Sequence, residues 1–258
     1  MRLARTLSGP WQQIGSRLFQ RPFPPEVAPR HVGVVLDDLS DEGVASNIWP
    51  HRRRGSKRDG LLTLVECCQR AGVEYVTFWR SSTPAGSDLP RRWATDHLCR
   101  EVFAALQARL AIDVHTVGAA DERQILAADG LGPRTAASQK GGSSRLRVTF
   151  AAGDSGKKEV ADALRRWLAV HRNYRGALDQ LASHLTARAL LEHSEVADLP
   201  PLDLIIRTSG QRRAPGFLLL HSAYAELYFT GVHWSRLRVR DVWKALSSYA
   251  ARQRRFGR

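Results

Sequence analysis

The chain reads as an α/β domain, a mainly parallel sheet with helices packed on both faces. Three observations predict this. The six short runs 32–36, 73–79, 112–117, 146–152, 202–206 and 226–229 are mostly apolar without strict alternation, as in strands buried on both faces. Longer stretches with apolar residues at helical spacing, 61–70, 92–110, 158–191 and 239–254, separate most of them. Strands alternating with helices in this way imply right-handed crossovers between parallel neighbours.

Before the first run, Leu3, Leu7, Trp11, Ile14, Leu18 and Phe19 recur at near-helical spacing, which predicts an amphipathic helix over 2–19. Pro22, Pro24, Pro25 and Pro29 end it. Residues 1–28 therefore read as a helix and a proline-rich linker, and 29–258 as one domain, which suits a chain of 258 residues. No apolar run approaches the roughly 18 residues of a membrane span. Arg2, Arg5, Gln12, Gln13 and Arg17 interrupt the N-terminal apolar residues, so the stretch lacks a signal-peptide core. The three cysteines have neither metal-ligand spacing nor an even count, which suits a reduced, cytoplasmic setting. Cys67 and Cys68 fall within a helical apolar pattern and read as core.

Lys and Arg number 39 against 25 Asp and Glu, a net charge of +14. Such an excess attracts phosphates of any kind. No zinc-finger spacing or RNA-binding aromatic pattern accompanies it, so nucleic acid is not the expected partner. Small diphosphates, and contact with an anionic membrane surface, make better use of the charge. The histidines show no pairwise ligand spacing, and no Ser/His/Asp order suggests hydrolysis.

In open α/β sheets ligands sit beyond the carboxyl ends of the strands. Three polar clusters fall at such ends: Asp37-Asp38 after the first run, Ser81-Ser82-Thr83 after the second, and Arg207-Thr208-Ser209-Gly210 after the fifth. Arg207 and Arg213, on a turn just past a strand, form a fork suited to a dianionic phosphate. Glu226 is a hard oxygen donor of the kind Mg²⁺ prefers. Asp37 could equally cap the helix that follows.

The stretch 202–229, with Arg207-Thr208-Ser209-Gly210, Arg213, Phe217 and Ala223-Tyr224-Ala225-Glu226-Leu227-Tyr228-Phe229, resembles the cis-prenyltransferases. That family includes undecaprenyl diphosphate synthase. Residues 29–37, ending in Asp37, are similar to its opening strand. The resemblance covers roughly 29–258 and implies a six-stranded, mainly parallel sheet flanked by helices, a hydrophobic tunnel, and a homodimer or a heterodimer with a homologue. It also implies Mg²⁺-dependent coupling of isoprenyl diphosphates. Carried over residue by residue, Asp37 helps bind Mg²⁺ and activate the allylic diphosphate, and Glu226 contributes to the metal site. Arg52, within Arg52-Arg53-Arg54-Gly55-Ser56-Lys57, contacts the allylic diphosphate. Ser82 matches a polar residue of the second strand end. Arg207 and Arg213 take the homoallylic diphosphate, and Arg255-Phe256-Gly257 matches an element whose Arg255 and Gly257 reach the partner subunit's site.

The departures are as informative as the matches. The family continues its first strand with Gly-Asn-Gly-Arg-Trp or Gly-Asn-Arg-Arg-Trp, a glycine-rich cradle for the allylic diphosphate. This chain has Asp38-Leu39-Ser40-Asp41-Glu42-Gly43 instead. Those carboxylates would repel a bare diphosphate but could hold it through Mg²⁺. Asp37, Asp38 and Asp41 also fit the Asp-Asp-x-x-Asp pattern of trans-prenyltransferases and class I terpene synthases, although a solvated acidic loop is the plainer reading. Gln211 and Pro215 replace an expected glutamate and serine, and Pro84-Ala85-Gly86 stands where Glu-Asn-Trp is usual. A rebuilt allylic site fits irregular coupling or cyclisation of short isoprenyl diphosphates. A catalytically silent subunit and an ordinary cis-elongating synthase are the alternatives.

Overall fold

The computed structural model describes residue 23 and residues 27–36, 57–81, 112–117, 146–153, 156–212 and 216–252, with parts of 101–108. The helix expected over 2–19 lies outside them. Six strands form one sheet: β1 (His31–Val35), β2 (Tyr75–Ser81), β3 (Asp113–Val117), β4 (Arg147–Gly153), β5 (Leu204–Arg207) and β6 (Glu226–Phe229). Their order is β3-β4-β2-β1-β5-β6, and every pairing is parallel. The expected α/β fold with a six-stranded sheet is the observed one.

Side chains alternate across the pleat, so each face collects its own set. Val32, Val34, Val76, Phe78, Val148, Phe150, Leu204 and Ile206 face one way and join Leu61, Leu64, Trp243 and Leu246 in the larger core. Val35 and Ile205 face the other way, with Val196, Leu199, Leu202 and Phe217. Burial on both faces explains why these strands read as continuous apolar runs. Cys67 and Cys68 are buried in the larger core, and burial pushes both thiols up, that of Cys67 to about 12, so both stay protonated and inert.

The helix Lys57–Arg70 begins before its apolar stripe and packs against the 3₁₀ turn Trp234–Arg236. Gly60 makes the close approach there: a Cβ on it would stand 2.2 Å from the Trp234 carbonyl oxygen. The helical pattern over 158–191 is broken into three helices, Gly156–Val170, Leu178–Ser183 and Ala187–Glu192. The break has local causes. His171 Nδ1 donates to the Trp167 carbonyl at 2.9 Å at the end of the first helix. The Tyr174 hydroxyl occupies the space a Cβ on Gly176 would need. Thr186 then opens the last helix by accepting the Ala189 N–H at 3.1 Å. The two short helices bury no residue, and Leu178 is 81% exposed, so apolar spacing here does not report a core.

Candidate active site

β1 lies where the strand order reverses: β2 is on one side of it and β5 on the other. In such sheets the ligand crevice opens outside the carboxyl ends at this switch point. Val35 is in register with both Trp79 of β2 and Arg207 of β5. The chain therefore leaves β1 and β5 side by side, with Leu36 still bonded through its N–H to the Trp79 carbonyl at 2.9 Å. Asp37 is the next residue in sequence.

The turn after β5 is built to hold one shape. The Thr208 hydroxyl, fully buried, donates to the Val35 carbonyl at 3.3 Å and ties the end of β5 to the end of β1. The Arg207 carbonyl accepts the Thr230 N–H at 2.9 Å. Ser209 and Gly210 donate their N–H groups to the carbonyls of Val232 and Thr230 at 3.0 and 2.9 Å. Both adopt positive φ, 64° and 73°. For Ser209 this left-handed backbone costs about 1–2 kcal/mol, which the four tethers offset. Arg207 is thus delivered at the carboxyl edge on a stiff turn.

Of the residues singled out above, Asp37, Asp38, Asp41, Arg52, Ser82, Arg213, Arg255 and Gly257 lie outside the described residues. Arg207 and Glu226 lie within them, and a single chain does not bring these two together. Glu226 opens β6 and is in register with Leu204, whereas Arg207 is in register with Phe229. Glu226 therefore sits at the amino end of its strand, about 10 Å along the sheet from Arg207 at the usual rise per residue. Alternation also turns the two side chains to opposite faces. The Glu226 carboxylate accepts from Arg252 Nη1 instead. Among the described residues no group of three His, Cys, Asp or Glu side chains could hold a metal ion.

The opposite edge carries its own polar cluster. His31 is fully buried, with Nδ1 donating to the Pro200 carbonyl at 2.7 Å and Nε2 accepting from the Thr77 hydroxyl at 2.8 Å. Burial pushes its pKa down to about 4, against the Pro200 carbonyl, which raises it. The Asp203 carboxylate accepts the backbone N–H groups of Arg30 and His31 at 2.8 and 3.0 Å. This cluster welds the start of β1 to the approach to β5 and takes no part in the crevice. Thr208 and Ser209 belong to the polar cluster that the sequence marks after the fifth run, but their bonds to Val35 and to the return segment 230–232 escape a reading of the sequence alone.

The prenyltransferase family model of undecaprenyl diphosphate synthase matches residues 50–257. The chain belongs to the cis-prenyltransferase family. It is 34% identical to "Isoprenyl transferase 2" of Streptomyces coelicolor, over 89% of this chain and 90% of that protein. To the (2Z,6E)-farnesyl diphosphate synthase of Thermobifida fusca it is 33% identical, over 96% and 97% of the two chains. The crystal structure of lavandulyl diphosphate synthase from Lavandula x intermedia, in complex with dimethylallyl diphosphate, superposes with a TM-score of 0.68. That match covers 90% of this chain and all of the other at 19% identity, and it shows a shared fold. As a cis-prenyltransferase the protein is a prenyl-transferring enzyme, and its family's substrates are isoprenyl diphosphates. Among the described residues no helix is long and apolar enough to cross a membrane.

Proposed function

We propose that this cis-prenyltransferase is a Mg²⁺-dependent enzyme that joins or cyclises short isoprenyl diphosphates, with irregular coupling or ring closure in place of long-chain elongation. The observation that supports this is the shared register of Val35 with Trp79 and Arg207. It brings the carboxyl ends of β1, β2 and β5, which Asp37, Ser82 and Thr208 follow in sequence, to one edge of the sheet at the switch point. In this reading Arg207 and Arg213 bind the homoallylic diphosphate through charge-assisted hydrogen bonds. Arg52 and Ser82 serve the allylic diphosphate, and Arg255 and Gly257 reach toward a partner subunit in a homodimer or a heterodimer. The carboxylates of Asp37, Asp38 and Asp41 have the donor chemistry that Mg²⁺ requires, and the ion, when bound, supplies charge neutralisation for the departing diphosphate. Glu226 faces away from this edge in its own chain and could enter the metal set only from a second chain. The net charge of +14 supports contact with an anionic membrane surface, where an apolar product is released.

The replacement of the family's glycine-rich cradle by Asp38-Leu39-Ser40-Asp41 supports the non-standard chemistry. Incubation of the purified protein with Mg²⁺ and dimethylallyl, geranyl or farnesyl diphosphate, each with and without isopentenyl diphosphate, tests it. Branched or cyclic short products are expected. A ladder of long linear products would overturn the chemistry in favour of ordinary elongation. Inactivity relieved only by adding a homologue would select a silent subunit.

A further inference from the structure

The loop that starts at Arg207 is held at its far end by a single carboxylate. Gly216 comes to rest against Gly156, the first residue of the helix Gly156–Val170: a Cβ on Gly156 would stand 2.8 Å from the Gly216 carbonyl oxygen and 2.7 Å from Leu219 Cβ. One turn into that helix, Glu159 Oε2 accepts the backbone N–H of Leu219 at 2.6 Å. Leu219 opens the short helix Leu219–Ser222 directly after Leu218, whose φ of 41° is left-handed. The carboxylate thus pins a strained turn where the loop rejoins the body of the protein.

Among the described residues Glu159 makes one hydrogen bond, to the Leu219 N–H. Its other oxygen, Oε1, is buried beside His221 Nδ1 at 3.8 Å, and neither atom has a hydrogen-bond partner among the described residues. His221 is 2% exposed. Buried polar atoms without partners are costly, and an apolar pair of the same size would stabilise the fold better. Their presence is accounted for if the position needs an acceptor aimed at Leu219.

We propose, on the reading of the arginine loop given above, that Glu159 is a positioning residue for the diphosphate site. The entry of the loop is fixed by Thr208, Ser209 and Gly210 against β1 and the segment 230–232; Glu159 fixes its exit. With both ends set, Arg207, which begins the loop, presents one geometry to a diphosphate. Pyrophosphate titration calorimetry on wild type, Arg207→Ala, Glu159→Ala and Glu159→Gln, with steady-state kinetics, tests this. Glu159→Ala should bind pyrophosphate about tenfold more weakly and raise KM, with kcat little changed, as expected for loss of one hydrogen bond to a charged group. Glu159→Gln keeps an acceptor oxygen and should recover most of the affinity. Wild-type affinity in a folded Glu159→Ala protein, or no recovery in Glu159→Gln, overturns the proposal while weakened binding by Arg207→Ala leaves the site reading standing. Unchanged binding by Arg207→Ala overturns both. Should Glu159→Ala not fold, Glu159→Leu combined with His221→Leu removes both unpartnered atoms together; wild-type affinity in that double variant also overturns the proposal.

Discussion

Acidification should unfold this protein through His31, and the size of the effect follows from its surroundings. The ring is buried in its neutral form, donating from Nδ1 to Pro200 and accepting at Nε2 from Thr77. A proton added at Nε2 would face the Thr77 hydroxyl proton and would bring a charge into an apolar setting. The folded-state pKa of about 4 lies below the ordinary 6.5, so the unfolded chain binds the proton more readily. Stability attached to this group is fully present above about pH 6.5 and is lost as pH falls toward 4. At 1.36 kcal/mol per tenfold difference in proton affinity, the loss amounts to about 3 kcal/mol. Urea unfolding of wild type and His31→Phe, at steps from neutral pH to about 4.5, isolates it. At neutral pH the variant should be less stable by about 1–3 kcal/mol, because the Thr77 hydroxyl and the Pro200 carbonyl lose their partner. That gap should close as pH falls, since only wild type carries the titrating ring. Two parallel stability curves across the whole range would refute the reasoning.

Three further outcomes are expected. Arg207→Ala should weaken pyrophosphate binding by about 1.5–3 kcal/mol in calorimetry, the value of charge-assisted hydrogen bonds, with no change in the melting temperature beyond a degree or so. Gly60→Ala should lower stability by about 2–3 kcal/mol, as overpacking against a rigid backbone does; thermal unfolding reads it as a fall of about 5–10 °C. Asp37→Ala and Glu226→Ala should each abolish turnover, yet a mixture of the two should recover about a quarter of wild-type activity if a two-fold dimer pairs Asp37 of one chain with Glu226 of the other. No recovery on mixing would place both carboxylates in separate roles.

The strands were legible because a parallel sheet buries both of their faces, and β1, β4 and β5 lie within a residue or two of their apolar runs. The helix boundaries were less so. Nothing in the spacing of Leu178, Leu181 and Leu185 distinguishes an exposed apolar stripe from a buried one, and the break after Val170 falls where His171, Asn173 and Gly176 interrupt a longer apolar spacing. At the site, polar residues following apolar runs located the carboxyl edge correctly for Arg207. Glu226 enters the expected metal set through the family resemblance and its hard oxygen donors, not through a place at that edge. Its place before the apolar residues Leu227 to Phe229, not after them, already marked it as a residue of the amino edge. The left-handed Ser209 and Leu218, and the half-buried Glu159 that pins the latter's turn, depend on tertiary bonds that no local pattern encodes.

The pairing of β1 with β5 spans 172 residues between His31 and Asp203. During synthesis at about 5–20 residues per second, the first strand therefore waits roughly 10–30 s before its second neighbour leaves the ribosome. Until then β1 can pair on one side at most, with its other edge of main-chain donors and acceptors open to any extended segment nearby. The same central position that leaves the ends of β1 and β5 side by side thus makes the nascent chain depend on its last third for closure. β5, and then β6 beside it, are the pieces that complete the sheet.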